Sequence, residues 1–439
     1  MTTWWAARAV VDGEVCHRVL LESSDGALSR VECDVDAPDD ARMLDGVVLP
    51  GAVNAHSHAF HRVLRGRTHR GHDSFWSWRD QMYAAAATLD PEGYYALARA
   101  VFAEMLLAGY TAVGEFHYLH YAPGGSAYAD PNAMSGALSW AAEDAGIRLV
   151  LLDTLYLESA PGKEPDETQM RFSDGSVERW IERTTLLRGS RLVTHGLAIH
   201  SVRAVPPDAI AIAAQVARER AVPLHAHVSE QPRENDECRV AYGRSPVEVL
   251  RDAGALGNGF TAVHATHLAD ADIRALGDSH VCVCPTTERD LADGIGPIPA
   301  LRDAGALLCV GSDSHAIIDP FEEARAIEMD ERLGSRRRGT FTGPELLAAM
   351  TVGGSAALGL PARGLAVGSP ADFIEIDTAS VRLAGHDETE VADALLYAGT
   401  SSDVRTVVVD GIEQVRAGTH RSIDAATELA RHIRRVLAS

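Results

Sequence analysis

From about residue 90 to residue 310 the chain switches repeatedly between helical and extended spacing, and this alternation limits its possible folds more than any other feature. Tyr94, Leu97, Val101, Met105 and Ala108 keep the three-and-four spacing of a helix that Gly109 ends, and 111–113 follows as a strand. The order recurs: 206–220 reads as helical and 222–228 as extended. Next, 245–253 is helical up to Gly254 and 260–265 extended, and 301–304 closes a short helix before an extended 306–310. Repeated helix-then-strand units predict a parallel sheet with crossover helices. Over about 300 residues the natural closure is an α/β fold of the (β/α)8, TIM-like barrel type. A doubly wound open sheet is the alternative, but the chain has no glycine-rich turn of the GxGxxG or GxxxxGK[ST] kind.

The two ends differ from this middle. Before residue 45, short apolar runs such as Arg18-Val19-Leu20-Leu21 are broken by Asp-Gly turns. Near the other end, 371–377 reads as a strand and 406–411 as a strand running into a turn. We expect 1–48 and 361–439 to pair into one small β-sandwich domain with a C-terminal helix, flanking a barrel over 49–360. The polar stretch 159–176, with Pro161, Gly162, Pro165 and Gly175, reads as a long surface loop, either a lid or an interface element.

Charge and cysteine usage narrow the function. A formal net charge of −22 argues against nucleic acid or an anionic membrane as partner, because both select basic patches. No apolar run approaches the roughly 20 residues that cross a bilayer, and the first residues do not read as a secretion signal. The six cysteines form no CxxC pair, so neither a disulfide framework nor a cysteine zinc site is expected. Cys282 and Cys284 share one strand face and read as buried packing. A reducing, cytoplasmic location follows.

Four sequence points at predicted strand ends carry chemistry, where parallel barrels place their active sites. In Val53-Asn54-Ala55-His56-Ser57-His58, alternate residues of an extended segment face one way, so His56 and His58 can offer imidazoles to one ion. His227, in His225-Ala226-His227, supplies a third ligand, with Glu230 one loop step away as acid/base; His225 reads as a packed, hydrogen-bonded histidine. In His264-Ala265-Thr266-His267, His264 is expected at the barrel mouth and His267 in a supporting role. Asp313 follows a buried strand among small residues, where a carboxylate is costly unless it pairs with a cation. Three imidazoles and one carboxylate suit a single divalent ion, zinc by default with iron possible, and leave a position for water. Such an ion lowers the pKa of its water to roughly 7. Asp313 would then accept the water's proton, Glu230 pass one to a departing nitrogen, and His264 stabilise the charged tetrahedral intermediate.

With these residues in place the chain resembles the amidohydrolase superfamily, whose pattern is HxH after strand 1, His after strands 5 and 6, and Asp after strand 8. The fourth predicted strand end, at His200-Ser201, offers no lysine, which favours a one-metal branch. Within it the chain looks most like the formimidoylglutamate deiminase family, through His58-Ala59-Phe60, Asp73-Ser74-Phe75-Trp76-Ser77-Trp78-Arg79, Glu115-Phe116-His117-Tyr118, His200-Ser201-Val202-Arg203 and Gly311-Ser312-Asp313-Ser314-His315. The resemblance implies hydrolysis of N-formimino-L-glutamate to N-formyl-L-glutamate and ammonia, in histidine breakdown, by a homodimer. For that small dicarboxylate it implies Arg79 and Arg203 as anchors, assisted by Tyr118 and His200. A glutamine is frequent in the family where this chain has His61, whose charge is expected to vary near neutral pH. Arg65, Arg67 and Arg70 read as solvated. Two other readings remain: a purine or pyrimidine deaminase on the same metal site, which would not need two cationic anchors, and a non-catalytic barrel scaffold, which would be expected to lose ligands.

Overall fold

The middle of the chain builds eight strands paired in sequence order: Ala52–Ser57, Tyr110–His117, Arg148–Leu155, Val193–Ile199, Leu224–Val228, Phe260–His264, His280–Val283 and Leu307–Val310. Every pairing among them is parallel. This computed structural model describes residues 2–69, 75–361, 364–387 and 390–438, with the backbone alone at Phe75 and Trp76. Arg70, Asp73 and Ser74 lie outside the described residues.

The first and last barrel strands meet at a seam made by the same short segments that carry His56, His58 and Asp313. Ser57 and Asp313 form a parallel bridge. The Asp313 N–H donates to the His56 carbonyl at 3.0 Å, and the His58 N–H donates to the Asp313 carbonyl at 3.2 Å. One step earlier, the Asn54 amide donates to Ser312 Oγ at 2.7 Å and accepts from the Ser312 N–H at 2.9 Å. Gly311 is required here, because a Cβ would lie 2.8 Å from the His56 carbonyl oxygen. Closing the barrel therefore sets the spacing of these three side chains.

Local signals explain the elements. Ala52–Ser57 and Tyr110–His117 are buried at every position, as strands covered on both faces must be. Helix Pro91–Ala108 starts at Asp90, whose side chain accepts from the Gly93 N–H, and ends at Gly109 with φ +103°. Cys282, Cys284 and Cys309 fill the barrel interior beside Ala55 and Val263, so the packing role expected for the first two holds.

The terminal segments share one eight-stranded mixed sheet. Phe373–Ile376 runs antiparallel to Arg42–Pro50, which is where the C-terminal part joins the N-terminal part. One face closes over Trp4, Val19, Leu21, Phe373 and Val408, with the Trp4 and Phe373 rings edge to face at 5.1 Å. The last helix, Ala425–Ala438, returns to Pro91–Ala108, where Arg99 pairs with Glu428 at 2.6 Å. Among the described residues no helix is long and apolar enough to cross a membrane.

Two stretches differ from their sequence reading. The 159–176 segment is exposed at 162–164, but Gln169, Arg171 and Phe172 are buried in the short turn Gln169–Phe172. Arg65 is not solvated: it donates to the His315 carbonyl at 2.6 Å and to Glu104 at 2.6 Å, whereas Arg67 is exposed as expected.

Outside the barrel wall, Arg183 is buried between Asp153 at 2.8 Å and Asp174 at 2.7 Å. Arg183→Met leaves two buried carboxylates without their cation and should cost about 3–5 kcal/mol of stability. Urea unfolding of variant and parent measures this; a loss below about 1 kcal/mol would show that the pair is not structural.

Candidate active site

Each of the four motifs emerges at the carboxyl end of a barrel strand, and the strand register turns their side chains toward one point. His56 and His58 close the first strand, His227 lies near the end of the fifth, His264 ends the sixth, and Asp313 follows the eighth. His264 and Asp313 sit at φ +70° and +38°. Such left-handed non-glycine positions cost of order 1–3 kcal/mol each and persist only where the surroundings fix them. Here the Ala265 N–H donates to the Val228 carbonyl at 3.1 Å and the Asp313 N–H to the His56 carbonyl.

The nitrogens and the carboxylate converge. His56 Nε2 lies 3.1 Å from His227 Nε2 and 3.3 Å from Asp313 Oδ1, and His58 Nε2 lies 3.4 Å from Asp313 Oδ1. His58 Nδ1 donates to the Phe116 carbonyl at 2.9 Å, and His227 Nδ1 donates to the His200 carbonyl at 2.9 Å. Since carbonyls only accept, both protons sit on Nδ1 and both Nε2 lone pairs face the cluster. Two buried groups that share His56, one with His227 and His264 and one with His58 and Asp313, each bring their ligand atoms within 4.8 Å of one another and fit a divalent cation. His56 Nδ1 is buried without a hydrogen-bond partner, so no second bond competes for that ring's orientation. Burial lowers the pKa of His56, His58 and His227, in His58 to about 3, which keeps them neutral as ligands must be. Burial works against the Asp313 charge, but His56, His264 and His58 outweigh it and hold the carboxyl below its usual range.

Glu230 and His264 stand beside this cluster. His264 Nε2 is 3.9 Å from both Glu230 Oε1 and Asp313 Oδ2. Burial pushes the Glu230 carboxyl up to about 7, against the pull of His264 and Arg203. Burial lowers His264, but Glu230, Glu288 and Asp313 outweigh it and raise the imidazole to about 10. The sequence reading missed Glu288, which approaches His264 Nδ1 at 3.4 Å while accepting from the Cys284 N–H at 2.9 Å. Glu115 was also given no role. It accepts from Ser57 Oγ at 2.6 Å and from the Ala59 N–H at 2.6 Å, which fixes the turn between and after the two histidines. His225 is the packed histidine expected, bonded to the Ala357 carbonyl at 2.9 Å, and His267 is bonded to the Asp293 carbonyl at 2.8 Å.

A cleft opens above the cluster, lined by His58, His227, Glu230, His264 and Asp313 at its base. His61, Arg79, Tyr118, His200 and Arg203 all line its walls, so the five residues named from the resemblance meet in one place. His61 Nε2 is 3.0 Å from the Tyr118 hydroxyl. Its charge does not vary near neutral pH as expected: burial, then His58, push its pKa well below the ordinary value and leave it neutral. Arg203 Nη1 is buried without a hydrogen-bond partner. Trp78, Met82, Tyr83, Tyr156, Ser159 and Phe172 complete the walls, and none of them was assigned a site role from the sequence.

A third histidine and carboxylate group, His117, His120 and Asp153, lies apart from the cleft lining. Its carboxylate is already held by both Arg183 nitrogens at 2.8 Å and by the Trp180 indole N–H at 3.0 Å, so it is an ion-pair core and not a ligand set.

The comparisons with known proteins agree with this geometry. The model of the amidohydrolase family matches residues 47–413. The chain is 39% identical over 437 residues to a formimidoylglutamate deiminase of Pseudomonas aeruginosa, covering 96% of each. It is 30% identical to a 5-methylthioadenosine/S-adenosylhomocysteine deaminase of Natronomonas pharaonis, over 94% of this chain and 92% of that one. A crystal structure of an amidohydrolase from Brucella melitensis superposes with a TM-score of 0.93 at 33% identity over the whole of both chains. With the strand order and these likenesses in agreement, the chain belongs to the amidohydrolase family.

Proposed function

We propose that the chain hydrolyses N-formimino-L-glutamate to N-formyl-L-glutamate and ammonia. The observation that carries this reading is one cleft holding Arg79, Arg203 and the Tyr118 hydroxyl above the histidine and aspartate cluster. A substrate with two carboxylates needs two cations, and the planar guanidinium binds carboxylate with two parallel bonds. The relative from Pseudomonas aeruginosa is named for this activity.

His56, His58, His227 and Asp313 would hold one divalent ion, zinc by default for this donor set. That ion would supply a water acidified to a pKa of about 7. Asp313 accepts the water's proton as its oxygen adds to the amidine carbon. His264 donates a hydrogen bond to the oxygen that gains charge at the tetrahedral carbon. Glu230 delivers a proton to the terminal NH2 group, the C–N bond breaks and ammonia leaves, and the proton of the remaining hydroxyl passes to the Glu230 carboxylate as the formyl C=O forms. Tyr118, His61 and His200 border the space between this chemistry and the two arginines.

In this reading 49–360 is the catalytic unit and 1–48 with 361–439 the sheet unit. We place the enzyme in the cytoplasm, in keeping with its six free cysteines, and as a homodimer, in keeping with the resemblance. The relative from Natronomonas pharaonis makes a heterocycle deaminase the competing reading. Ammonia release from N-formimino-L-glutamate, compared with guanine, cytosine and adenosine, separates the two. Turnover of the diacid alone is expected; turnover of a heterocycle without the diacid would overturn the assignment.

Arg79→Ala should raise KM for the diacid at least about 30-fold, since losing a buried partner of a carboxylate costs roughly 2–5 kcal/mol. Steady-state kinetics checks this, and an unchanged KM would remove Arg79 from the anchor.

A further inference from the structure

Besides Ser159 and Phe172, which line the cleft, the segment from 159 to 176 places one side chain behind two of the cleft's tyrosines that neither the resemblance nor the chemistry above requires. Gln169 is buried, and its Nε2 donates to the Tyr156 hydroxyl at 2.9 Å and to the Tyr83 hydroxyl at 3.1 Å. The direction of these bonds is fixed by the other end of the amide. Gln169 Oε1 accepts the Asp166 N–H at 3.0 Å, and the Gln169 N–H in turn donates to Asp166 Oδ1 at 2.9 Å. A backbone N–H only donates, so the atom facing Asp166 is the oxygen and the atom facing the tyrosines is the NH2. Its two hydrogens are therefore shared between two phenol oxygens.

That arrangement orients the phenols. Each hydroxyl accepts from Gln169, so each must turn its own proton elsewhere. Even if one tyrosine donates to the other, one O–H remains to point into the cleft that both side chains line. The Arg79 guanidinium carbon lies 5.5 Å from the centre of the Tyr83 ring, so holding Tyr83 also holds the face against which Arg79 rests. The Phe172 ring, three residues on, sits 5.6 Å from Tyr156 and 5.8 Å from Tyr83. Arg171 donates to the Ala86 and Leu89 carbonyls at the end of helix Phe75–Ala87, which carries Arg79 and Tyr83. The turn Gln169–Phe172, buried at Gln169, Arg171 and Phe172, thus grips both the tyrosine pair and the helix that delivers one of the two arginines.

We propose that Gln169 is a positioning residue for the substrate's carboxylate end: it presents a tyrosine O–H and the Arg79 guanidinium together to one carboxylate. This rests on the dicarboxylate reading above, and it assigns the 159–176 segment a role in affinity rather than in the bond-breaking step.

The test compares the metal-replete parent with Gln169→Leu, Gln169→Glu and Tyr156→Phe. Leucine removes both donors at similar volume, glutamate keeps the acceptor for Asp166, and Tyr156→Phe removes the hydroxyl while keeping the ring. KM for N-formimino-L-glutamate should rise roughly 10-fold in Gln169→Leu and in Tyr156→Phe, the size of one lost hydrogen bond to a charged group, with kcat within about 3-fold of the parent. Combining the two should add little beyond the larger single effect, because both act through the same hydroxyl. Binding of N-formyl-L-glutamate, measured by calorimetry, should weaken by the same factor. That measurement separates this inference from the proposed reaction: a parent that binds the diacid but does not turn over the formimino compound fails the reaction and leaves the positioning role standing. Equal affinity of parent, Gln169→Leu and Tyr156→Phe for the diacid would overturn the inference. So would a loss confined to kcat, or a fall in thermal stability with KM unchanged.

Discussion

Glu230→Gln is expected to lower kcat for N-formimino-L-glutamate by about 10²–10⁴-fold while bound metal stays at the level of the parent. Glutamine keeps the shape and one acceptor but cannot carry a proton to the departing nitrogen. Glu230 lies outside the group formed by His56, His58 and Asp313, so its loss leaves that set intact. Burial raises its carboxyl to about 7, which suits a group that gains and loses a proton near neutral pH. Single-turnover kinetics together with metal analysis checks both halves. Near-normal kcat would remove Glu230 from the proton path, and loss of the metal would make it a ligand instead.

Asp313→Asn is the second large effect, with kcat falling by about 10³-fold or more and metal affinity falling as well. Asparagine is the informative substitution because the residue sits at φ +38°, a region asparagine adopts more readily than most. The seam bonds run through the backbone of Asp313, so the barrel should still close. What is lost is a carboxylate 3.3 Å from His56 and 3.4 Å from His58, which in the proposed reaction holds the ion and accepts the water's proton. Metal affinity should drop by at least about 10-fold, since even partners one shell further out are worth roughly 10–100-fold. Titration of metal-free protein with zinc, followed by activity at saturating metal, separates the two losses. Full activity at saturating zinc would deny Asp313 the proton.

Positions that follow from local geometry were legible in the sequence. His56 and His58 alternate on an extended segment, Asp313 follows a buried strand, and Gly109 ends a helix; each signal lies within a few neighbouring positions. The pairing of the chain ends was legible for a similar reason, since both carry short apolar runs between turn residues. Hidden were the roles fixed by distant partners. Arg65 sits in a polar stretch and looks solvated until Glu104 and the His315 carbonyl arrive from 39 and 250 positions away. Polar residues and turn formers made 159–176 look like surface. Yet Gln169 and Arg171 find hydrogen-bond partners on other elements, and Phe172 finds an aromatic wall. His61 looked like a group titrating near neutral pH because its type sets that value; enclosure beside His58, Trp78 and Tyr118 changes it. Glu115 and Glu288 carried no local signal, because a buried carboxylate's role depends on what is packed against it.

In the proposed reaction one divalent ion, held by His56, His58, His227 and Asp313, drives deimination of a dicarboxylic amidine. The direct measurement is ammonia release from N-formimino-L-glutamate by chelator-stripped protein as zinc is added in known equivalents. The expected result is no release from the stripped protein, a linear rise to a plateau at one equivalent per chain, and N-formyl-L-glutamate as the second product. Undiminished release from fully stripped protein, or a plateau reached only at two equivalents, would contradict it.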